Sequence, residues 1–240
     1  ISTDSNAFYF NPAGPTLSEL DLQFEASANQ LTNNELSLGQ TNFSGSEYVP
    51  KQFDLVGIHY KKGRFSFGLG YLVPYWVEVS STFPPSLKSL KIQETGVNVS
   101  YALSDSFAIG VNGKYSQATQ IQQPAASAKV EISPTITYWQ WGLIYTKKRW
   151  AIGYSFSPEL LWQRTISTNT LILDVAAPEK QFVGLSYFIK PDKIRLSADI
   201  ISIKKIQNSV AFETYNTSNF NNDSIKSEDI TFPKLGVEFL

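Results

Sequence analysis

The side chains able to do chemistry are few. One histidine, His59, and no cysteine occur among 240 residues, so the groups that most often activate a nucleophile or bind a transition metal are nearly absent. A histidine–carboxylate dyad would need a partner for His59. Asp54 lies in the same extended run with opposite parity and faces the other side of a strand, and the run ends close by at Lys61 and Gly63. We therefore expect no catalytic residue, no cofactor and no metal site, since a metal would have to be held almost wholly by carboxylates. The net charge is −1, with 20 basic and 21 acidic side chains dispersed along the chain. Without a basic stripe, nucleic acid is not an expected partner.

Two further groups of residues carry more information. Gly68, Gly70 and Pro74 fall within one extended run. Proline has no N–H to give a ladder and is normally kept to edges and bulges, so Pro74 predicts a local break in pairing, and the two glycines before it predict a narrow, open inner face. Charged residues recur on the alternate positions of extended runs: Arg64, Glu78, Lys114, Glu159, Arg195 and Asp199 mix both signs. Buried charges must be paired or wet, so on an inner wall this set predicts a salt-bridged network rather than a selectivity ring.

The elements that would position these residues are strands. From Phe65 to Val79 every odd position is apolar, a run longer than the roughly 5–6 residues of a typical soluble strand and the roughly 9–11 that a tilted strand needs to cross a bilayer. Alternation recurs at Val97–Leu103, Trp139–Tyr145, Trp150–Phe156 and Val183–Ile189. Together these signals predict ten strands, near 17–28, 51–61, 63–79, 90–103, 106–117, 131–146, 149–164, 181–190, 193–205 and 231–240. Tight turns at Lys61–Gly63, Ser104–Asp105, Thr146–Arg149 and Lys190–Asp192 alternate with long polar segments at 29–50, 80–89, 118–130, 165–180 and 206–230. The pattern is that of an all-β, transmembrane antiparallel β-barrel of about ten strands, with short periplasmic turns, longer outer loops and both termini periplasmic. A soluble β-sandwich is the competing reading.

Aromatic residues, at 14%, suit the interfacial belts of such a barrel, and Trp139, Trp141, Trp150, Tyr154 and Trp162 are expected to face outward. No basic-plus-apolar leader precedes Ile1, so any secretory signal is expected to lie outside these residues. The last strand, Phe232–Leu240, alternates and ends in an aromatic followed by leucine. It resembles the terminal strand by which outer-membrane proteins are recognised during assembly.

Residues 1–16 read as a separate N-terminal segment ahead of a barrel of residues 17–240. The segment holds Phe8-Tyr9-Phe10, costly to leave in water, followed by Asn11-Pro12-Ala13-Gly14, a turn initiator with small residues that permit close packing. An aromatic run followed by Asn-Pro-Ala-Gly, just before a barrel, resembles the FadL-like family of outer-membrane transporters of long-chain fatty acids and other hydrophobic compounds. The resemblance implies that Asn11, Pro12 and Ala13, with Gly14 beside them, belong to a hatch that plugs the lumen at its periplasmic mouth. It also implies that a kink in the third strand, here at Pro74, opens the wall sideways. Typical members are longer, with more strands, and carry before the motif a Gly- and Ala-rich section that residues 1–10 do not show. The expected function is uptake or binding of small hydrophobic molecules in the bacterial outer membrane, with membrane lipid and hydrophobic small molecules as partners. A structural subunit bound to other outer-membrane proteins is the alternative, and a surface adhesin the third reading.

Overall fold

The computed structural model describes residues 11–18, 20–29, 36–38, 41–43, 52–82, 85–123, 129–164, 173–190, 194–204 and 229–239. In chain order the strands are β1 (Leu22–Asn29), β2 (Leu36–Leu38), β3 (Thr41–Phe43), β4 (Gln52–Lys62), β5 (Phe65–Thr82), β6 (Pro85–Ser104), β7 (Phe107–Gln123) and β8 (Val130–Ile132). They continue with β9 (Thr135–Lys147), β10 (Trp150–Ser157), β11 (Leu160–Arg164), β12 (Leu173–Ala177), β13 (Lys180–Lys190), β14 (Ile194–Ile203) and β15 (Ile230–Phe239). One antiparallel meander runs β1-β4-β5-β6-β7-β9-β10-β13-β14-β15, with β8 added beside β7. Its members are the ten expected strands. The pairs β2–β3 and β11–β12 are separate hairpins in the longer connections.

The two faces of this sheet are inverted relative to a soluble sandwich, whose apolar face is the buried one. Ser66, Asn98, Ser100, Asn112, Ser116 and Gln140 are buried, whereas Phe67, Val97, Val99, Val111, Trp141 and Ile152 are exposed. Polar inside and greasy outside is the arrangement of a wall facing lipid. The polar face is concave. Side chains or carbonyls of residues 11–18 bond to β4, β6, β9 and β10. Strands about 4.8 Å apart would spread those contacts over some 24 Å if the sheet were flat, so the wall must curl around the segment.

Several expected boundaries are corrected. Segment 80–89 is not a loop, because β5 and β6 pair as far as Thr82 and Pro85, and 118–123 continues β7. Pro134 separates β8 from β9, and Pro158 separates β10 from β11, each a residue with no ladder donor. Beyond Pro158 the chain leaves the wall and pairs with β12, so Trp162, expected to face lipid, is 1% exposed. The first strand begins at Leu22 and not near residue 17, and residues 14–17 form a 3-10 turn. The β5–β6 ladder also carries a break: between the pairs Leu72–Glu94 and Tyr75–Ile92, β5 has one residue more than β6, a bulge that includes Pro74. Among the described residues no pair joins β1 to β15.

Candidate functional site

The lumen is organised around Asn11-Pro12-Ala13-Gly14. Asn11 closes the turn on itself: its side-chain oxygen accepts from Ala13 N–H at 3.0 Å, and its carbonyl accepts from Gly14 N–H at 3.1 Å. Its amide then donates to the wall, to Leu143 O at 3.1 Å and Tyr154 O at 3.2 Å, carbonyls on the paired strands β9 and β10. The chain comes this close because Gly110 and Gly142 lie opposite each other on β7 and β9. A Cβ on Gly110 would meet Pro12 O at 2.2 Å, and one on Gly142 would meet Asn11 Oδ1 at 2.3 Å. Ala13 completes the seat with Ala108, Ile144 and Leu17. Phe8, Tyr9 and Phe10 lie outside the described residues.

Above this seat runs a row of amides on three neighbouring strands. Asn98 on β6 donates to Pro12 O at 3.0 Å and to Asn112 Oδ1 at 2.7 Å, and Asn112 donates to Gln140 Oε1 at 3.1 Å. Cross-strand register makes the row possible, since Asn98 faces Asn112 and Asn112 faces Gln140. All three are buried. The next layer is charged. Lys114 Nζ lies 3.4 Å from Glu94 Oε2, and Tyr138 donates to Glu94 Oε1 at 2.8 Å. A buried pair of this kind gives little net stability but fixes a geometry when its lone pairs are satisfied.

Beyond the charged layer lies a cavity of about 340 Å³. Glu94, Lys114, Tyr138 and Gln140 form its polar end. Leu90, Ile92, Leu160, Trp162 and Phe182 supply its apolar wall, and Pro74 lies in one side. The wall exists because the β11–β12 hairpin folds inward, packing Leu160 and Trp162 on Ile92, Ala118 and Ile132, with Trp162 Nε1 donating to Ser116 O at 3.4 Å. Cavities of about 300–1,000 Å³ with apolar linings and a few polar groups are typical small-molecule sites, and about 150 Å³ already holds benzene. The arrangement can hold a small apolar molecule. Among the described residues no cluster of three His, Cys, Asp or Glu side chains is placed to bind a metal.

The other expected site residues fall into different places. At Pro74 the β5–β6 register shifts, and the β4–β5 ladder runs no further than Leu55–Leu72 among the described residues. Gly68 belongs to a different feature from Pro74: it lies opposite His59 on β4, and its missing side chain leaves room for the imidazole, which a Cβ would approach to 2.1 Å. His59 is thus a buried lumen residue. Gly70 lies in register with Gly57 and Gly96. Arg64 is corrected, since it is an exposed turn residue 3.8 Å from Asp105 and not part of the lumen. Glu159 lies between β10 and β11, half-buried. Arg195 and Asp199 are half-buried on β14, opposite Glu238 and Lys234 in register. The side chain of Glu78 lies outside the described residues. Sequence reasoning missed Gly110, Gly142 and Gln140, whose only signal is parity: each lies on the polar face of a strand whose other face is aromatic or β-branched.

A lipid-type outer face, a polar inner face and an N-terminal segment folded against that inner face define the fold class of outer-membrane β-barrels. No protein-family profile and no curated protein sequence matches the chain. Solved structures do. The toluene transporter TbuX of Ralstonia pickettii superimposes with a TM-score of 0.63 at 13% identity, over 83% of this chain and 67% of that one. A FadL homologue from Pseudomonas aeruginosa gives 0.57 at 12% identity, over 85% and 65%. CymD, a monoaromatic hydrocarbon channel, gives 0.58 at 9% identity, also over 85% and 65%. The chain spans about two thirds of the length of these structures, and its fold is that of the FadL-type barrels.

Proposed function

We propose that the chain is an outer-membrane channel for small hydrophobic molecules, held in the cavity between the amide row and the β11–β12 hairpin, with residues 11–18 as the plug beneath it. The observation that carries this reading is an apolar cavity of about 340 Å³ with Pro74 in its wall. A solute leaving there goes directly into lipid, avoiding a crossing of the periplasm that would cost about 25 cal/mol per Å² of apolar surface. Among the described residues the β4–β5 ladder ends at Leu72 and β5 beyond it pairs only with β6, which supports the same exit. Uptake of N-phenyl-1-naphthylamine into proteoliposomes tests the route. Pro74→Thr restores a ladder donor and is expected to slow uptake several-fold while leaving the barrel folded. Unchanged uptake in the variant would exclude the lateral exit, and no uptake in the parent protein would exclude the channel.

One observation favours a second reading, a partner subunit in an outer-membrane assembly. Among the described residues β1 and β15 each pair on one side only, and a strand edge is a template for another chain.

A further inference from the structure

The edge of the sheet that carries the tight turns is strongly basic. Three two-residue hairpins end there: Gly63-Arg64 between β4 and β5, Asp105-Ser106 between β6 and β7, and Lys148-Arg149 between β9 and β10. Lys62, Arg64, Lys147, Lys148 and Arg149 are all exposed. Asp105 answers Arg64 alone, while Lys62, Lys147 and Lys148 make no ion pair among the described residues. Among the described residues at the opposite end, Lys129 bridges Glu131 at 3.0 Å and Lys204 meets Asp229 at 3.4 Å.

An aromatic ring fixes the depth of this basic edge. On the outward face, within a few residues of the turns, Tyr60, Phe65, Tyr101, Tyr145 and Trp150 are exposed. Phe65 pairs with Tyr101, and Trp150 stacks on Tyr187 with centroids 4.5 Å apart. Tyr and Trp rings of a spanning barrel settle at the headgroup level. The lysines just beyond them, on stems long enough to lie along the wall and lift their charge outward, therefore stand among the lipid phosphates.

The backbone gives a second, independent sign. Gly63, first of the two residues in its hairpin, has φ 60°, a left-handed conformation that such turns demand and that glycine meets without cost. Lys148 holds the equivalent position between β9 and β10 with φ 53°, in a region uncommon for a residue with a Cβ. Turn chemistry alone favours Gly or Asn there. A lysine kept against that preference points to a use for its charge.

We propose that these turns form a basic collar that binds the phosphate headgroups of anionic phospholipids in the leaflet on the tight-turn side. The collar anchors the barrel at a defined depth, and it rests on the reading of the chain as membrane-spanning. The test reconstitutes the full chain in nanodiscs of phosphatidylcholine containing phosphatidylglycerol and counts retained lipids by native mass spectrometry. Phosphatidylglycerol is expected to be enriched about fivefold. Lys148→Gly, which relieves the backbone, combined with Lys147→Gln and Arg149→Gln, should lower the enrichment to about twofold without lowering thermal stability in pure phosphatidylcholine. Lys62→Gln with Arg64→Gln provides a second variant on a separate turn, expected to lose part of it. Equal retention of both lipids, or enrichment untouched by either set, overturns the collar. Inorganic phosphate that competes the lipid away at millimolar concentration overturns it as well, by showing an anion site in place of a lipid surface. A chain that inserts into pure phosphatidylcholine but fails to discriminate lipids sinks the collar alone; one that fails to insert into any bilayer sinks the membrane-spanning reading and the collar with it.

Discussion

At the scale of single residues, the lumen depends on small side chains where residues 11–18 touch the wall and on amides where they are tied down. Gly142→Val would put a branched side chain where a Cβ alone comes within 2.3 Å of Asn11 Oδ1. We expect the β9–β10 ladder to survive, since valine suits a strand, and residues 11–18 to be expelled, read as new protease cleavage there. A segment that stays protected would mean the seat is more forgiving than its geometry. Asn98→Ala removes the donor to Pro12 O and should weaken the same anchoring by about 1–3 kcal/mol, measured as faster amide exchange in residues 11–18. The Glu94–Lys114 pair makes a sharper case. Lys114→Met takes from the buried Glu94 its closest cation, leaving it the Tyr138 hydroxyl and Lys180 on the same cavity wall, and should destabilise the barrel by up to about 3–5 kcal/mol, whereas adding Glu94→Gln should recover most of the loss. Denaturant titration of the two variants decides it, and equal losses would show that the pair is not coupled.

At the scale of elements, the tryptophans separate wall from lumen. Trp139, Trp141 and Trp150 are exposed on the outer face of β9 and β10, while Trp162 on β11 is enclosed. A variant keeping only Trp162 should resist quenching by brominated lipids and respond to a hydrophobic molecule in the cavity, and variants keeping only Trp139 or Trp150 should show the reverse. Quenching of Trp162 by lipid would put the β11–β12 hairpin back in the wall. The same contrast shows what the sequence makes legible. Period-two alternation placed all ten ladder strands, because the contrast between the faces of β6, β7, β9 and β10 is a local property. The inward hairpin was not legible: Leu160 and Trp162 alternate as wall residues would, and only Pro158, with its missing donor, marks where the chain leaves the ladder. Pro74 was legible as a break in pairing for the same reason. The Gly110–Gly142 seat and the Asn98–Asn112–Gln140 row needed cross-strand register, which joins residues far apart in sequence and leaves no mark in any one strand.

At the scale of the whole molecule, the physics of the bilayer decides how the sheet must end. β1 and β15 present ladder edges of 8 and 10 residues, and unpaired backbone groups in hydrocarbon cost several kcal/mol each. In a bilayer the edges must therefore be paired, with each other or with another chain. The wall outside the edges comes close to a span: Phe107 and Tyr115, at the two ends of the apolar stretch of β7, are about 27 Å apart along the strand, which at a tilt of about 40° rises about 21 Å, against an apolar band of about 25 Å. Eight strands close to a lumen just filled by side chains, so ten leave room for the segment at residues 11–18 and the cavity above it. We expect β1 and β15 to pair with each other. The chain has no cysteine, so Phe24→Cys combined in turn with Leu235→Cys and Val237→Cys offers an unambiguous cross-link, formed only where Cα atoms approach to about 4.4–6.8 Å. Closure predicts that one of the two double variants oxidises within a single chain and gives a compact, heat-modifiable band on gels. Cross-linked dimers in place of that band would show the edges paired between copies, and the partner-subunit reading would then replace the channel.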